Sequence, residues 1–220
     1  MTYSQLTQDG SITLFSEKFN ETYHSRKGAL TESLHVFIET GLKYKSLEKK
    51  EIKIGEIGLG TGLNAILSLE FAQKTGLDID YCSLEAFPIS SQLKLEILDK
   101  YPKDFVSEYQ KILNLEAGKR EQLNKFFAFS WFNRSWPDFN PFSDLDVVFY
   151  DAFAPDTQPE MWDEVALNQV FKSLNEGGIL VTYCAKGYVK RNLKKVGFQI
   201  ESLPGPPGKR EMTRATKKFI

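Results

Sequence analysis

Histidine and cysteine are scarce in this sequence, two of each in 220 residues. His24 and His35 alone offer neither the number nor the spacing of a zinc site, and no resident metal is expected. Cys82 and Cys184 each fall in an apolar run that reads as a buried strand, where cysteine behaves as a small hydrophobe rather than half of a disulfide. Long apolar runs are also missing, and nothing approaches the roughly 20 residues that span a bilayer. The opening segment MTYSQLTQDGS has neither a basic region nor an apolar one to mark it for export, which points to the cytoplasm. Hydrophobic residues at 41% and charged residues at 26% exclude a disordered chain. The length favours one core with an extension: residues 1–50 are expected to pack on a main domain formed by 51–220.

Net charge is also nearly absent, at −1, but that value hides a division. From Lys186 to Lys218 ten basic residues face two acids, so this segment carries +8 and the rest −9. An anionic partner such as nucleic acid would meet that end, although a solvated helix face and tail would have the same composition.

The expected order of elements begins with a short hairpin (SITLFS, NETYHS) and a helix containing Glu32 to Glu39. A strand at Ile52 to Leu59 follows, then GLGTGLN and the apolar-periodic helix NAILSLEFAQ. DIDYCSLEA is the next strand, with a helix around Ser90 to Lys100. FFAFSW, LDVVFYDAF and GGILVTYCA read as further strands. This alternation predicts an α/β, mostly parallel, doubly wound sheet. At the end, a helix closed by Gly197, the strand FQIESL, a PGPPGKR loop and EMTRATKKFI predict a C-terminal antiparallel strand.

Chemistry concentrates at the strand ends. Glu56, Gly58, Gly60 and Gly62 form E-x-G-x-G-x-G, where glycines let backbone approach a ligand closely. No Lys-Ser or Lys-Thr pair follows, so this is not a phosphate loop, and the third glycine of a dinucleotide fingerprint would have to stand at Leu63. Glu85 closes the next strand, placed to accept hydrogen bonds from both hydroxyls of a ribose. These residues describe a nucleoside site that tolerates a cationic amino-acid end, Glu56 neutralising it directly or through water. S-adenosylmethionine fits that description. Asp151 emerges from LDVVFY at the carboxyl edge of the sheet, where open α/β folds bind ligands. Phe153 and Pro155 would form a partly apolar wall with Trp162 as another flat surface, unless these aromatics simply pack in the core.

The stretches YHSRKGALTESLHVF (23–37), EIGLGTGLN (56–64), LEAFP (84–88), YDAFAPDTQPEMW (150–162) and GPPGKREM (205–212) together resemble the methyltransferase domain of the MnmC/MnmD family, which methylates 5-aminomethyl-2-thiouridine at the tRNA wobble position. The resemblance covers nearly the whole chain. It implies a Rossmann-like methyltransferase fold, S-adenosylmethionine as donor and tRNA as acceptor. It also implies Asp151 as the catalytic-site residue. Glu56, Gly58, Gly60, Gly62, Asn64 and Glu85 would form the cofactor pocket, with Tyr23 and Glu32 beside it. On the acceptor side Phe153 and Pro155 would hold the base, and Lys186, Lys209 and Arg210 would meet the tRNA. Bifunctional members carry a following oxidoreductase domain, so this chain is expected to be the stand-alone form, functionally coupled to the enzymes that make the aminomethyl precursor. The adenine contact is not evident; Asn133 is a candidate by position only. Two other readings compete: an aminopropyl transferase of the spermidine-synthase type, which has no use for a basic tail, and a non-catalytic tRNA-binding module, which would not need the intact set of acids and glycines.

Overall fold

The sheet at the centre of the protein is assembled from strands whose side chains alternate between two apolar layers. The structure is a computed structural model and describes residues 1–101 and 106–218. In chain order its elements are β1 (Thr2–Leu6), β2 (Ile12–Ser16), β3 (Glu21–Thr22), α1 (Ala29–Ser33), a π-helical stretch (Leu34–Lys43), α2 (Tyr44–Ser46), β4 (Glu51–Ile57) and α3 (Leu63–Thr75). Then come β5 (Asp78–Leu84), α4 (Ser91–Lys100), α5 (Val106–Asn114), β6 (Arg120–Asn124), β7 (Phe127–Phe132) and β8 (Leu145–Tyr150). A 3₁₀ turn (Pro159–Trp162), α6 (Glu164–Ser173), β9 (Leu174–Thr182), α7 (Gly187–Val196), β10 (Phe198–Pro204) and β11 (Glu211–Lys217) complete it.

Eight strands run in the order β10-β11-β9-β8-β4-β5-β7-β6. The five from β9 to β7 are parallel, while β11 pairs antiparallel with both β9 and β10, and β6 is an antiparallel edge on β7. The two-residue period of a strand sends neighbours to opposite faces. Val147, Phe149, Ile179 and Val181 join the layer beneath α3, α5 and the π-helical stretch. Val148, Tyr150 and Leu180 join the layer beneath α6 and α7. Every residue of β8 is buried, which is why its sequence is apolar at every position but Asp146, whose carboxylate is held by Lys49, Asn175 and the Lys53 N–H. On the first face Gly41 lets the π-helical stretch approach the sheet; a Cβ there would lie 2.9 Å from the Val181 side chain.

The expected parallel sheet and its C-terminal antiparallel strand are present; Phe219 and Ile220 of that expected strand lie outside the described residues. The N-terminal hairpin is instead a three-stranded sheet in the order β1-β2-β3, because Thr2–Leu6 adds to the far edge of Ile12–Ser16. Cys184 is buried but sits two residues beyond β9 rather than in a strand, and both cysteines are free thiols.

One carboxylate fastens the N-terminal sheet to the helix that follows. The first residue before α1 is Gly28, which has no side chain to cap the helix. Asp9 reaches across to do so, its Oδ2 accepting the Thr31 N–H at 3.0 Å and the Thr31 hydroxyl at 2.7 Å. Oδ1 accepts from the Thr7 hydroxyl and the Ser11 N–H and hydroxyl. Burial raises the carboxyl's pKa, but these donors together hold it well below the usual carboxylate range. A pKa depressed on folding contributes stability above the unfolded value, near pH 4, and loses it as the pH falls toward the folded value. Asp9→Ala is expected to lower stability by about 1–2 kcal/mol at neutral pH, the scale for a lost cap. Below pH 4 the difference from wild type should shrink, and urea unfolding at both pH values checks it.

Candidate active site

Three carboxyl-end residues of adjacent strands converge where the strand order reverses around β4, the place at which open α/β sheets leave a crevice. Gly58 follows β4, Glu85 follows β5 and Asp151 follows β8. The Gly58 and Leu59 N–H groups both donate to the Leu84 carbonyl, at 3.0 and 3.1 Å, and the Asp151 N–H donates to the Ile57 carbonyl at 3.0 Å, so all three loops are tied to the sheet. A Cβ on Gly58, whose φ is +97°, would lie 2.5 Å from the Asp151 carbonyl oxygen; one on Gly60, at φ +52°, would lie 3.0 Å from the Tyr23 ring. Glycine is thus required for the loop to pass between Asp151 and Tyr23.

The loop borders a cavity of about 280 Å³ whose lining includes Tyr23, Glu32, Gly58, Gly60, Glu85 and Asp151. Glu85 is held by its own neighbourhood: Oε2 accepts the Gly60 N–H at 2.8 Å and Oε1 the Phe87 N–H at 2.7 Å. Each oxygen keeps lone pairs for further donors. Burial pushes its pKa up, against the pull of those backbone donors. Tyr23 is pushed up to about 12 by burial and by Glu85, so its hydroxyl keeps its proton. Burial drives His24, also in the lining, down to about 4, leaving it neutral.

Asp151 is half-buried, and its pKa is raised well above the usual value by burial first and then by Glu56 and Glu32; Asn64 and Lys209 oppose the rise. Lys209 reaches in from the loop before β11, its Nζ 2.5 Å from Glu32 Oε1 and 4.0 Å from the centre of the Tyr183 ring. The cavity wall at Phe153 is anchored from three sides. Glu21 accepts the Ala154 N–H, Tyr183 donates to the Ala152 carbonyl at 2.8 Å, and Trp162 donates to the Phe153 carbonyl at 2.9 Å. Phe19, in the turn after β2, closes this corner by packing between Phe153 and Phe87, with centroids 4.6 and 5.2 Å away.

Past Tyr183 and Lys209, which line both spaces, lies an open depression of about 500 Å³ bordered by Pro155, Cys184, Lys186 and Arg210. The cations of the C-terminal basic segment are partly neutralised within the protein. Lys186 pairs with Asp156, Lys190 with Glu211 at 2.8 Å and Lys195 with Glu164 at 2.6 Å. The basic segment is therefore less positive outward than its composition suggests.

The sequence-based site thus divides. Tyr23, Glu32, Gly58, Gly60, Glu85, Asp151, Phe153 and Lys209 line the cavity, and Pro155, Lys186 and Arg210 line the depression. Glu56, Gly62 and Asn64 are buried beneath the glycine loop and do not line the cavity. Glu56 spends its oxygens on Asn64 at 3.0 Å and Ser83 at 2.8 Å, and burial raises it to about 7. Trp162 is only 1% exposed and packs edge-to-face against Tyr150 in the core, so it is no wall of the site. Asn133 is exposed and outside the lining, because the chain after β7 turns Arg134, Ser135 and Trp136 to the cavity instead. Tyr183 escaped sequence reasoning, although its position just beyond the strand GGILVTYCA marks the same sheet edge. Among the described residues no three His, Cys, Asp or Glu side chains cluster to hold a metal, and no helix is long and apolar enough to cross a membrane.

A family model described as S-adenosyl-L-methionine-dependent methyltransferase matches residues 96–218. The chain belongs to this family. This methyltransferase is 30% identical over 217 residues to the tRNA 5-methylaminomethyl-2-thiouridine biosynthesis bifunctional protein MnmC of Marinomonas sp. (strain MWYL1), covering 90% of this chain and 31% of that protein. The corresponding protein of Leptospira interrogans serovar Lai is 30% identical over 223 residues, 94% of this chain and 34% of its own. The methyltransferase therefore spans about a third of the length of the curated relatives it matches. The crystal structure of MNMC2 from Aquifex aeolicus superposes with a TM-score of 0.83 at 25% identity, over 100% of this chain and 72% of that one. Spermidine synthase from Thermotoga maritima, at 14% identity and TM-score 0.57, covers 99% of this chain and 72% of its own, a likeness of fold alone. S-adenosylmethionine is the methyltransferase's cofactor, and the glycine cradle and the Glu85 carboxylate fit its nucleoside.

Proposed function

We propose that this methyltransferase acts on the exocyclic amine of 5-aminomethyl-(2-thio)uridine at the wobble position of tRNA, giving 5-methylaminomethyl-(2-thio)uridine. One observation carries the reading. Glu85 and Asp151 face one cavity from neighbouring strand ends, and that cavity opens past Lys209 onto a depression bordered by Lys186 and Arg210. A nucleoside cofactor on one side and a nucleotide of an anionic polymer on the other suit this arrangement, and the MnmC relatives, named for tRNA 5-methylaminomethyl-2-thiouridine biosynthesis, support the choice of acceptor. The aminopropyl-transfer alternative is supported by fold likeness only. An acceptor of this kind would be met in the cytoplasm, downstream of the enzymes that install the aminomethyl group.

When bound, S-adenosylmethionine supplies an electrophilic methyl group; Glu85 would hold its ribose, with Gly58 and Gly60 beneath it. Phe153 and Pro155 would hold the base turned out of the anticodon stack. The amine is protonated near neutral pH and attacks only as the free base. Asp151, whose proton affinity is raised by burial and by Glu56 and Glu32, is suited to take that proton. Passing that proton on to solvent restores the carboxylate, which then stabilises the positive charge growing on nitrogen as the methyl arrives. Nucleoside analysis of tRNA from cells with and without the protein tests the assignment. Loss of the methylaminomethyl nucleoside with gain of its aminomethyl precursor is expected; unchanged nucleosides would refute it.

The ion pairs of the basic segment set a further expectation. Arg210 is exposed, whereas Lys209 is engaged by Glu32. Arg210→Ala should lower the slope of log affinity for tRNA against log salt by about one unit, and Lys209→Ala by less. Filter binding across a salt series reads both, and a slope unchanged in Arg210→Ala would remove that residue from the interface.

A further inference from the structure

Asn64 is the second residue of α3, buried at 2% exposure, and its side chain faces the strand ends beneath the glycine loop. Its Nδ2 donates to Glu56 Oε1 at 3.0 Å and to Asp151 Oδ2 at 2.9 Å, so the two protons of one amide are divided between two carboxyl groups. The Oδ1 of the same amide is buried without a hydrogen-bond partner. Rotating the amide by half a turn would aim that oxygen at both carboxyl oxygens, so the observed orientation is the one in which the amide donates to both acids. Resting on Asp151 as the proton acceptor, the geometry points to Asn64 as a positioning residue: it fixes the rotamer of Asp151 and keeps its carboxyl in the charged form, and it does not touch the cofactor.

The surroundings explain why such a donor is needed. Asp151 is faced by Glu56 and Tyr81 from β4 and β5, by Glu32 from α1, by Tyr183 after β9 and by Lys209 from the loop before β11. Two of these five are acids that repel its charge, and Lys209 is already engaged by Glu32. Asn64 is the neutral group that donates directly to it. An amide donor favours the charged form of a carboxyl, so removing it raises the pKa of Asp151.

The test is Asn64→Leu, close in size and unable to donate, made in the full chain. The carboxyl ¹³C signal of Asp151 should titrate about one to two pH units higher than in the unsubstituted protein, the equivalent of one lost hydrogen bond to a charged group. Affinity for S-adenosylmethionine by calorimetry should stay within about twofold, while single-turnover methylation at neutral pH falls about 10- to 100-fold. The pH profile of that rate should move to higher pH together with the carboxyl signal. An unmoved Asp151 titration overturns the proposal. So does cofactor affinity that falls as far as the rate, which would make Asn64 a ligand contact. The titration is read without tRNA, so an unsubstituted protein that leaves aminomethyl tRNA unmethylated while Asn64 still governs Asp151 would overturn the substrate reading alone. Should Asn64→Leu not fold, the side-chain amide signals of Asn64 in the unsubstituted protein must show a step that coincides with the Asp151 carboxyl titration, and Asp151→Ala must lose that step while keeping the one due to Glu56. A flat Asn64 signal overturns the proposal as well.

Discussion

With the proposed aminomethyl-tRNA acceptor, Asp151→Asn is expected to keep the affinity of the unsubstituted protein for S-adenosylmethionine and for that acceptor and to transfer the methyl group about 10²–10⁴-fold more slowly, the usual contribution of a positioned acid or base. Shape and hydrogen-bonding reach survive the change, but the group that takes the proton does not. A carboxylate beside an ammonium ion ordinarily stabilises the unreactive, protonated amine. The structure eases this conflict, because burial and the nearby Glu56 and Glu32 raise the proton affinity of Asp151. The direction of that shift fixes the sign of the pH dependence. With a pKa above the ordinary carboxylate range, Asp151 becomes an active base only as the pH rises through that pKa, so the acid limb of the wild-type profile should lie above the range of a surface aspartate. In Asp151→Asn this limb should vanish. The remaining activity should climb toward high pH, where solvent provides the neutral amine. Single-turnover rates across pH decide it: a mutant as fast as wild type removes Asp151 from the chemistry, and a slow mutant with no recovery at high pH leaves it an orienting role.

Glu85→Ala should weaken S-adenosylmethionine binding by about 1.5–3 kcal/mol, the scale of a hydrogen bond to a charged group. That is a loss of roughly 10- to 150-fold in affinity. The same carboxylate accepts from Gly60 and Phe87, so part of the loss will come from slackening of the glycine loop. Glu85→Gln separates the two contributions, since an amide oxygen can still accept one of these N–H groups while its NH₂ cannot accept from a ribose hydroxyl. Calorimetry on the two variants is the measurement, and wild-type affinity in Glu85→Ala would remove the residue from the cofactor site.

The parts of this protein that could be read from sequence are those in which cause and effect are close together along the chain. The strand ending at Ile57, the glycine turn and α3 form one local unit, and the acids Glu85 and Asp151 follow strands whose apolar runs announce them. Helices α5 and α6 and the edge strand β6 were not anticipated. Val106, Tyr109, Ile112 and Leu113 do have helical spacing, but nine residues are too few for the pattern to stand out. In β6 only Leu123 is fully buried, as befits an edge. The residues that the structure places off the cavity were illegible for a different reason. Whether Glu56 and Asn64 meet a ligand or each other depends on a hydrogen bond made across eight residues at the bottom of a crevice. The turn taken after β7 brings Trp136 rather than Asn133 to the cavity, and the inward packing of Trp162 depends on Tyr150. None of these arrangements leaves a period or a motif in the sequence.

The position of β11 has a consequence during synthesis. It occupies the slot between β9 and β10, and β10 has no other neighbour in the sheet. While the ribosome still holds residues 211–217, β9 is an open edge, and Lys209 has no strand behind it to carry it to Glu32. Because a domain folds as a unit during synthesis, the eight-stranded sheet is complete only after β11 has emerged. The acceptor side must wait. A nascent chain arrested before Glu211 should therefore leave β9 unpaired on that side and β10 without a neighbour, exposing strand edges open to pairing with other chains.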